Sequence, residues 1–252
     1  ATVGNSALLQ AVAEAAEARG YALAVVTLGA EGRIGEAFDR LRDQGVDGAI
    51  VLNEASALAR DADPAGLALV VVDAPADPRF TVIGTDHAAG ARAATAHLLD
   101  RGAEAVHHLA GPEGSFAAAE RERGWREELA ARGLRIPDPL RGDWSAGSGH
   151  DRGRVLAADP AVTAVFAAND QMALGLLRAL ADAGRGVPDD VAVLGFDDIA
   201  DAAEFRPPLS TIRQDFAALG ELAVRLVVDR VEGRDVQDPA LLTPALIPRA
   251  SA

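Results

Sequence analysis

Three apolar runs of this 252-residue chain end in short hydrogen-bonding side chains: LALVVV runs into Asp73, TAVFAA into Asn169-Asp170, and VAVLGF into Asp197-Asp198. In open parallel sheets, ligands sit in the crevice beyond the carboxyl ends of the strands, so chemistry is expected at these tips. An Asp or Asn after a strand is also a common helix cap or turn former. Within each adjacent pair, one member can cap the next helix while the other faces the crevice. Together, the carboxylates and the amide make an acceptor-rich surface suited to a polyhydroxylated ligand, because one carboxylate can take two neighbouring hydroxyls. Arg121 adds a five-donor fork. Trp144 lies in the Gly- and Ser-rich loop RGDWSAGSG, where it has two readings: a stacking platform for the apolar face of a sugar ring, or a loop residue folded back onto its own lobe.

Other chemistry is thin. All 24 basic residues are arginine, which removes the Walker lysine, a kinase-type lysine and a Schiff-base lysine together. The absence of cysteine removes disulfides, thiolate metal sites and cysteine nucleophiles, and leaves the redox compartment undecided. His107 and His108 are neighbours in a strand, so they point to opposite faces and cannot chelate one metal. His87, His97 and His150 have no partner at metal-ligand spacing. No GxSxG elbow and no GxGxxG after a strand occurs. Nothing assembles a nucleophile with a base, and no cofactor is implied. The expectation is a protein that is not an enzyme.

The elements that would position these residues are legible from periodicity. SALLQAVAEAAEARG places Leu8, Leu9, Val12, Ala15 and Ala16 at helical spacing. Thereafter YALAVVT, GAIVL, LALVVVD, FTVIG, AVHHLAG, TAVFA and VAVLGF read as short strands. They alternate with helices over RIGEAFDRLRDQG, DHAAGARAATAHLLDRG, FAAAERERGWREELAARG, Gly149 to Ala158 and DQMALGLLRALADAG, and Phe216 to Arg230 reads as a last helix before a strand around Ala240 to Pro248. Such alternation predicts an α/β chain with parallel sheets flanked by helices on both faces. The restart of the pattern after Gly111-Pro112 suggests two lobes divided there. The chain has no apolar run of membrane-spanning length, and its net charge of −14 makes it a poor binder of phosphate backbones by itself.

The runs GTDHAAGARAATAHLLDRG, HLAGPEGSFAAAERERGW and TAVFAANDQMALGLLRALADAGRGVPDDVAVLGFDD, followed by FRPPLSTIRQDFAALGELAV, resemble the effector-binding core of LacI/GalR-type bacterial transcriptional repressors, in collinear order over nearly the whole chain. The most specific parts are ANDQMALG, VPDDVAVLGFDD and PPLSTIRQ. The resemblance implies two Rossmann-like lobes of the periplasmic-binding-protein kind with three crossings between them. The first lobe would hold residues 1–110 plus 214–233, and the second residues 111–213 plus 234–252. It also implies a small sugar effector in the interlobe cleft, held by Asp73, Arg121, Trp144, Asn169 and Asp197, with Gln214 at a lobe crossing, Phe216 beside it, and Leu8 as a floor from the first lobe. Closeness to the lactose-responsive set suggests a β-galactoside.

Family members carry a helix-turn-helix headpiece, a hinge helix and a first core strand ahead of the segment where Ala1 stands. DNA binding is therefore not attributable to these residues and would run only through such a headpiece. The first core strand is expected to belong to the protein, since losing a central strand should unfold the lobe. The resemblance further implies a cytoplasmic homodimer, joined through the first helix and the segment after Gly29, in which ligand and operator oppose one another reciprocally. The alternative on the same fold is the sugar-binding protein of an uptake transporter.

Overall fold

The computed structural model describes residues 2–28, 33–52, 63, 66–234 and 241–252. The chain forms two compact units, Val3–Thr85 with Asp215–Leu242 and Asp86–Gln214 with Thr243–Ala252, and passes between them three times. The expected division near Gly111 is therefore corrected to Thr85-Asp86, and the last crossing falls after Leu242 rather than near 233. The reason lies in pairing, because the strand His107–Ala110 joins the second unit's sheet through His107↔Val165, and the helix before it packs there as well.

In the first unit, helices α1 (Val3–Glu17) and α2 (Ile34–Asp43) precede strands β1 (Gly48–Val51), β2 (Ala68–Val72) and β3 (Thr81–Ile83), which form a parallel sheet in the order β1-β2-β3. The run ALVVV has no polar side because both faces are covered. Val70 and Val72 pack with Leu8 and Val12 of α1 and with Leu219 and Ala223 from residues 216–231. Leu69 and Val71 turn the other way, onto Ile34 and Phe38 of α2, as the period of two requires.

One strand expectation fails. Tyr21–Thr27 runs outside any ladder, leaving Leu23, Val25 and Val26 exposed at 43%, 58% and 38%. Composition favours a strand here, yet a strand needs a neighbour with which to exchange hydrogen bonds. The nearest, β1, presents an edge across a groove of about 1130 Å³ lined by both segments. Residues 29–32, part of the expected dimer surface, lie outside the described residues, as does Ala240 at the start of the expected final strand.

The second unit continues with α3 (His87–Asp100), β4 (His107–Ala110), α4 (Phe116–Ala131), β5 (Leu140–Arg141), α5 (Ala146–Ala158), β6 (Ala164–Ala167), α6 (Asp170–Asp182), β7 (Ala192–Asp197), a 3₁₀ turn at Ala200–Glu204 and β8 (Ser210–Arg213). Helix α7 (Phe216–Val231) returns to the first unit before β9 (Ala245–Ile247) closes the second. The six strands lie in the order β5-β4-β6-β7-β8-β9, all parallel except β9. Val165, Ala167 and Val193 face the cluster containing Leu156, Leu176 and Leu180 of α5 and α6. Phe166, Leu194 and Phe196 face Leu98, Trp125 and Leu129 of α3 and α4. Strands β5 and β8 and the 3₁₀ turn were not anticipated; two residues, or four directly behind a proline pair, carry too little periodicity to read.

Candidate functional site

Helix α6 starts with a side-chain cap that also sets where the end of β6 points. Asn169 Oδ1 accepts from Met172 N at 2.9 Å, capping α6, while its Nδ2 donates to Trp144 O at 3.1 Å. Asn169, 1% exposed, thus caps α6 and ties the Trp144 loop to the end of β6. Its neighbour Asp170 does not face outward; it is 0% exposed beneath the strand ends.

In the Asp197-Asp198 pair, contrary to expectation, neither acid caps the 3₁₀ turn that follows, which has no side-chain cap, but the two point apart. Asp198 turns to Arg213 Nε at 2.7 Å and Arg249 Nη2 at 2.6 Å. Asp197 turns the other way and accepts from Gln214 Nε2 at 2.8 Å, with Arg121 Nη1 at 3.4 Å from the same oxygen. Arg121 is 4% exposed, and its guanidinium lies 3.9 Å over the Phe196 ring. It donates through Nε to His87 Nδ1 at 3.3 Å and through Nη1 to Ala168 O. Burying a charge on this scale is tolerable only where it is paired and hydrogen-bonded, and here the backbone carbonyl at the end of β6 and the carboxylate at the end of β7 supply the partners.

Trp144 is half-buried, with its ring center 5.5 Å from the Arg121 guanidinium. The ring rests on Gly111, where an added Cβ would come within 2.4 Å of ring Cη2. Both readings of this residue therefore have support: the ring folds onto its own unit and also joins the polar cluster. Trp144, Asp197 and Asp198 all hold positive φ (75°, 115° and 55°), as does Asp73 in the first unit (54°), and these are the non-glycine examples among the described residues. Strained backbone of this kind concentrates at functional sites, and three of the four were picked out as site residues from sequence.

In the second unit the structure therefore brings together Arg121, Trp144, Asn169, Asp197 and Gln214, with carboxylate and amide acceptors, guanidinium donors and an aromatic face. Such a set can bind hydroxyls in the plane of a ring and stack against its apolar side. In the first unit, Asp73 Oδ1 accepts from Thr85 N at 3.3 Å and crowds Gly84, where a Cβ would sit 2.4 Å away. Leu8 is 4% exposed inside the apolar core, so packing alone accounts for it, and Phe216 is partly buried against the same cluster. Sequence reasoning gave no role to His87 and Phe196, which brace Arg121, and placed Asp170 only at a strand end, as a cap or a crevice residue. The place of His87 at the first turn of a helix, after the polar triplet GTD, was the available signal; Phe196 was hidden inside an apolar run. His108, by contrast, is core: its ring stacks on Phe166 at 4.8 Å, and burial pushes its pKa down to about 4. Among the described residues no group of three His, Asp or Glu could hold a metal ion, and no helix is long and apolar enough to cross a membrane.

Residues 95–252 match the family described as "Periplasmic binding protein-like domain". The chain is 37% identical over 218 residues to the lactose operon repressor of Klebsiella pneumoniae, covering 85% of this chain and 62% of that protein. It is 34% identical over 256 residues to the ribose operon repressor of Escherichia coli K12, covering 98% of this chain and 78% of the relative. This chain belongs to the LacI/GalR family, as its effector-binding core. Among solved structures, the complex of the transcriptional regulator CelR with cellobiose superposes with a TM-score of 0.90 at 32% identity, covering all of this chain and 80% of that one. A dimeric lac repressor with a C-terminal deletion gives 0.90 at 30% identity, covering 99% and 94%. The chain thus spans about three fifths to four fifths of the length of these curated relatives.

Proposed function

We propose that this core binds a small sugar effector and belongs to a cytoplasmic, homodimeric transcriptional repressor that meets operator DNA only through a separate headpiece. The observation that carries the reading is the buried Arg121, Asp197 and Gln214 cluster, with Asn169 and Trp144 around it. Carboxylate and guanidinium side by side recognise adjacent hydroxyls, and the indole supplies the apolar face that sugar rings need. The family resemblance adds Asp73, Phe216 and Leu8 from the first unit, and a β-galactoside as the first effector to try. The cluster assembles no nucleophile with a base, so binding rather than turnover is its role. The named relatives are repressors, which favours regulation over uptake. Effector and operator then change one another's affinity by the same factor.

The test is calorimetric titration of the chain with methyl β-galactoside, cellobiose, ribose and hypoxanthine. One sugar should bind, and Asp197→Ala should weaken it at least about tenfold, or about 1.4 kcal/mol. Heat from hypoxanthine with none from any sugar would overturn the sugar reading.

A further inference from the structure

Directly behind Asp197 lies an acid that no ligand contact explains. Asp170 opens α6 yet turns inward, where its Oδ1 accepts from Thr211 Oγ1 at 2.6 Å and its Oδ2 from Ile199 N at 2.9 Å. These two bonds tie the start of α6 to β8 and to the backbone just past the Asp197-Asp198 turn. The fit is close, because a Cβ on Gly195 of β7 would stand 2.2 Å from Asp170 Oδ1 and 2.9 Å from Leu209 Cδ2. Glycine at 195 is therefore what makes room for the carboxyl.

Two successive residues with positive φ do not hold themselves, since Asp197 and Asp198 would relax to ordinary backbone without an external clamp. Clamps on this turn include the Gln214 and Arg121 contacts to Asp197, the Arg213 and Arg249 pairs to Asp198, and, just past it, the Asp170 bond to Ile199 N. We propose that Asp170 is the positioning residue for Asp197, and that it holds the turn best as a neutral acid.

The chemistry of the surroundings supports the second half. Burial, and then the Asp197 carboxylate, push the Asp170 pKa up to about 8, against the opposing hydrogen bonds from Thr211 and Ile199; Asp198 adds a smaller push in the same direction. The charged groups around it are Asp197, which Arg121 faces, and Asp198, which Arg213 and Arg249 face. A neutral Asp170 can donate its proton to the Thr211 hydroxyl and still accept from Ile199 N, because a hydroxyl both gives and takes. An ionised Asp170 keeps both contacts as an acceptor but sets a second negative charge beside Asp197 in a dry place. Ionisation thus strains the turn without breaking its bonds.

The consequence for sugar affinity rests on Asp197 being a ligand contact; the test does not. In wild-type protein, the Ile199 amide and the Gln214 side-chain amide, which donates to Asp197, should titrate together by NMR with a midpoint about pH 8. In Asp170→Asn, which fixes the neutral shape, that titration should vanish while the low-pH shifts stay. The sign of the stability effect follows from linkage. A raised folded pKa means that stability is fully present below the unfolded value, about 3.9 for Asp, and is lost as pH rises toward the folded one, so Asp170→Asn should gain melting temperature over wild type at pH 8 and gain much less at about pH 4. Gly195→Ala, which crowds the carboxyl, and Thr211→Val, which removes one partner, should move both amide signals even if Asp170→Ala fails to fold. The proposal is overturned if both amides ignore pH between 7 and 9 in wild type, or if Gly195→Ala and Thr211→Val leave them where they were. Absence of sugar binding with these shifts intact would sink the sugar reading alone.

Discussion

The two units share one architecture and differ in how far their sheets are closed. The second has six strands in which β4, β6, β7 and β8 are flanked on both sides, and the three largest fully buried side chains among the described residues, Trp125, Phe166 and Phe196, are all its own. The first has three described strands, an edge at β1, and an apolar segment at 21–28 that joins no ladder among the described residues. The polar cluster is built where the sheet is closed. A binding group gains most from a support that does not move, and the second unit supplies that support to Arg121, Asn169, Asp197 and Gln214 before any ligand arrives.

The comparison can be broken most forcefully in the core. Phe166→Ala should cost about 3–5 kcal/mol in chemical denaturation, because the ring is 0% exposed between His108 and Phe196. Val25→Ala, at a position 58% exposed, should stay within about 0.5 kcal/mol. Equal costs would show that the first unit is as tightly packed as the second.

Next in size is Arg121→Ala, expected to cost about 3 kcal/mol because it leaves the Asp197 carboxylate buried without its cation. Arg121→Lys should recover only part of this, since one ammonium cannot reach His87, Ala168 and Asp197 together. Full recovery in a melting experiment would mean that charge alone matters there.

A pH profile sharpens the contrast further. His108 sits neutral with a folded pKa of about 4, below the unfolded value near 6.5, so the unfolded chain takes up its proton first as pH falls. Stability should therefore drop between about pH 6.5 and 4, by on the order of 2–3 kcal/mol. Replacing His108 with Phe should flatten that slope. A slope unchanged in the variant would assign the loss elsewhere.

The smallest effect expected is at Asp198→Asn, about 1–2 kcal/mol for weakening two charge-assisted bonds to Arg213 and Arg249. It should leave sugar affinity within about twofold. Asp197→Asn should lose affinity as well as stability, because it leaves the buried Arg121 cation without its anion, so an Asp197→Asn variant that keeps its sugar affinity would erase the division of labour between the neighbours.

Most of the second unit was legible because its helices are long and its strands apolar, bounded by residues that cap: Asp86, Ser115, Ser145 and Asn169 all accept from the first turn of the helix they precede. The strand over Tyr21–Thr27 was misread because composition reports what a segment would do beside a partner, not whether the partner is there. The lobe boundary was misplaced because the restart of the pattern at Gly111 is a repeat of local grammar, whereas membership in a unit is decided by pairing across the sheet. Asp197, Asn169 and Arg121 were found as strand-end or helix-start polar residues. Asp170 was read as a cap or crevice residue, not as a buried one, because burial reverses the ordinary meaning of an acid, and burial is a property of the fold.

The crossing after Leu242 has a consequence for synthesis. Strand β9 pairs with β8, Val193 N donates to Ser251 O, and the Ser251 hydroxyl bonds to both Ser210 and Val193. A chain emerging from the ribosome N-terminus first can form helices and the inner strands of the second unit early, but it cannot seal that sheet until Ser251 has cleared the exit tunnel. Residues made well after Asp197 fasten the wall behind the polar cluster, so competence to bind waits for them.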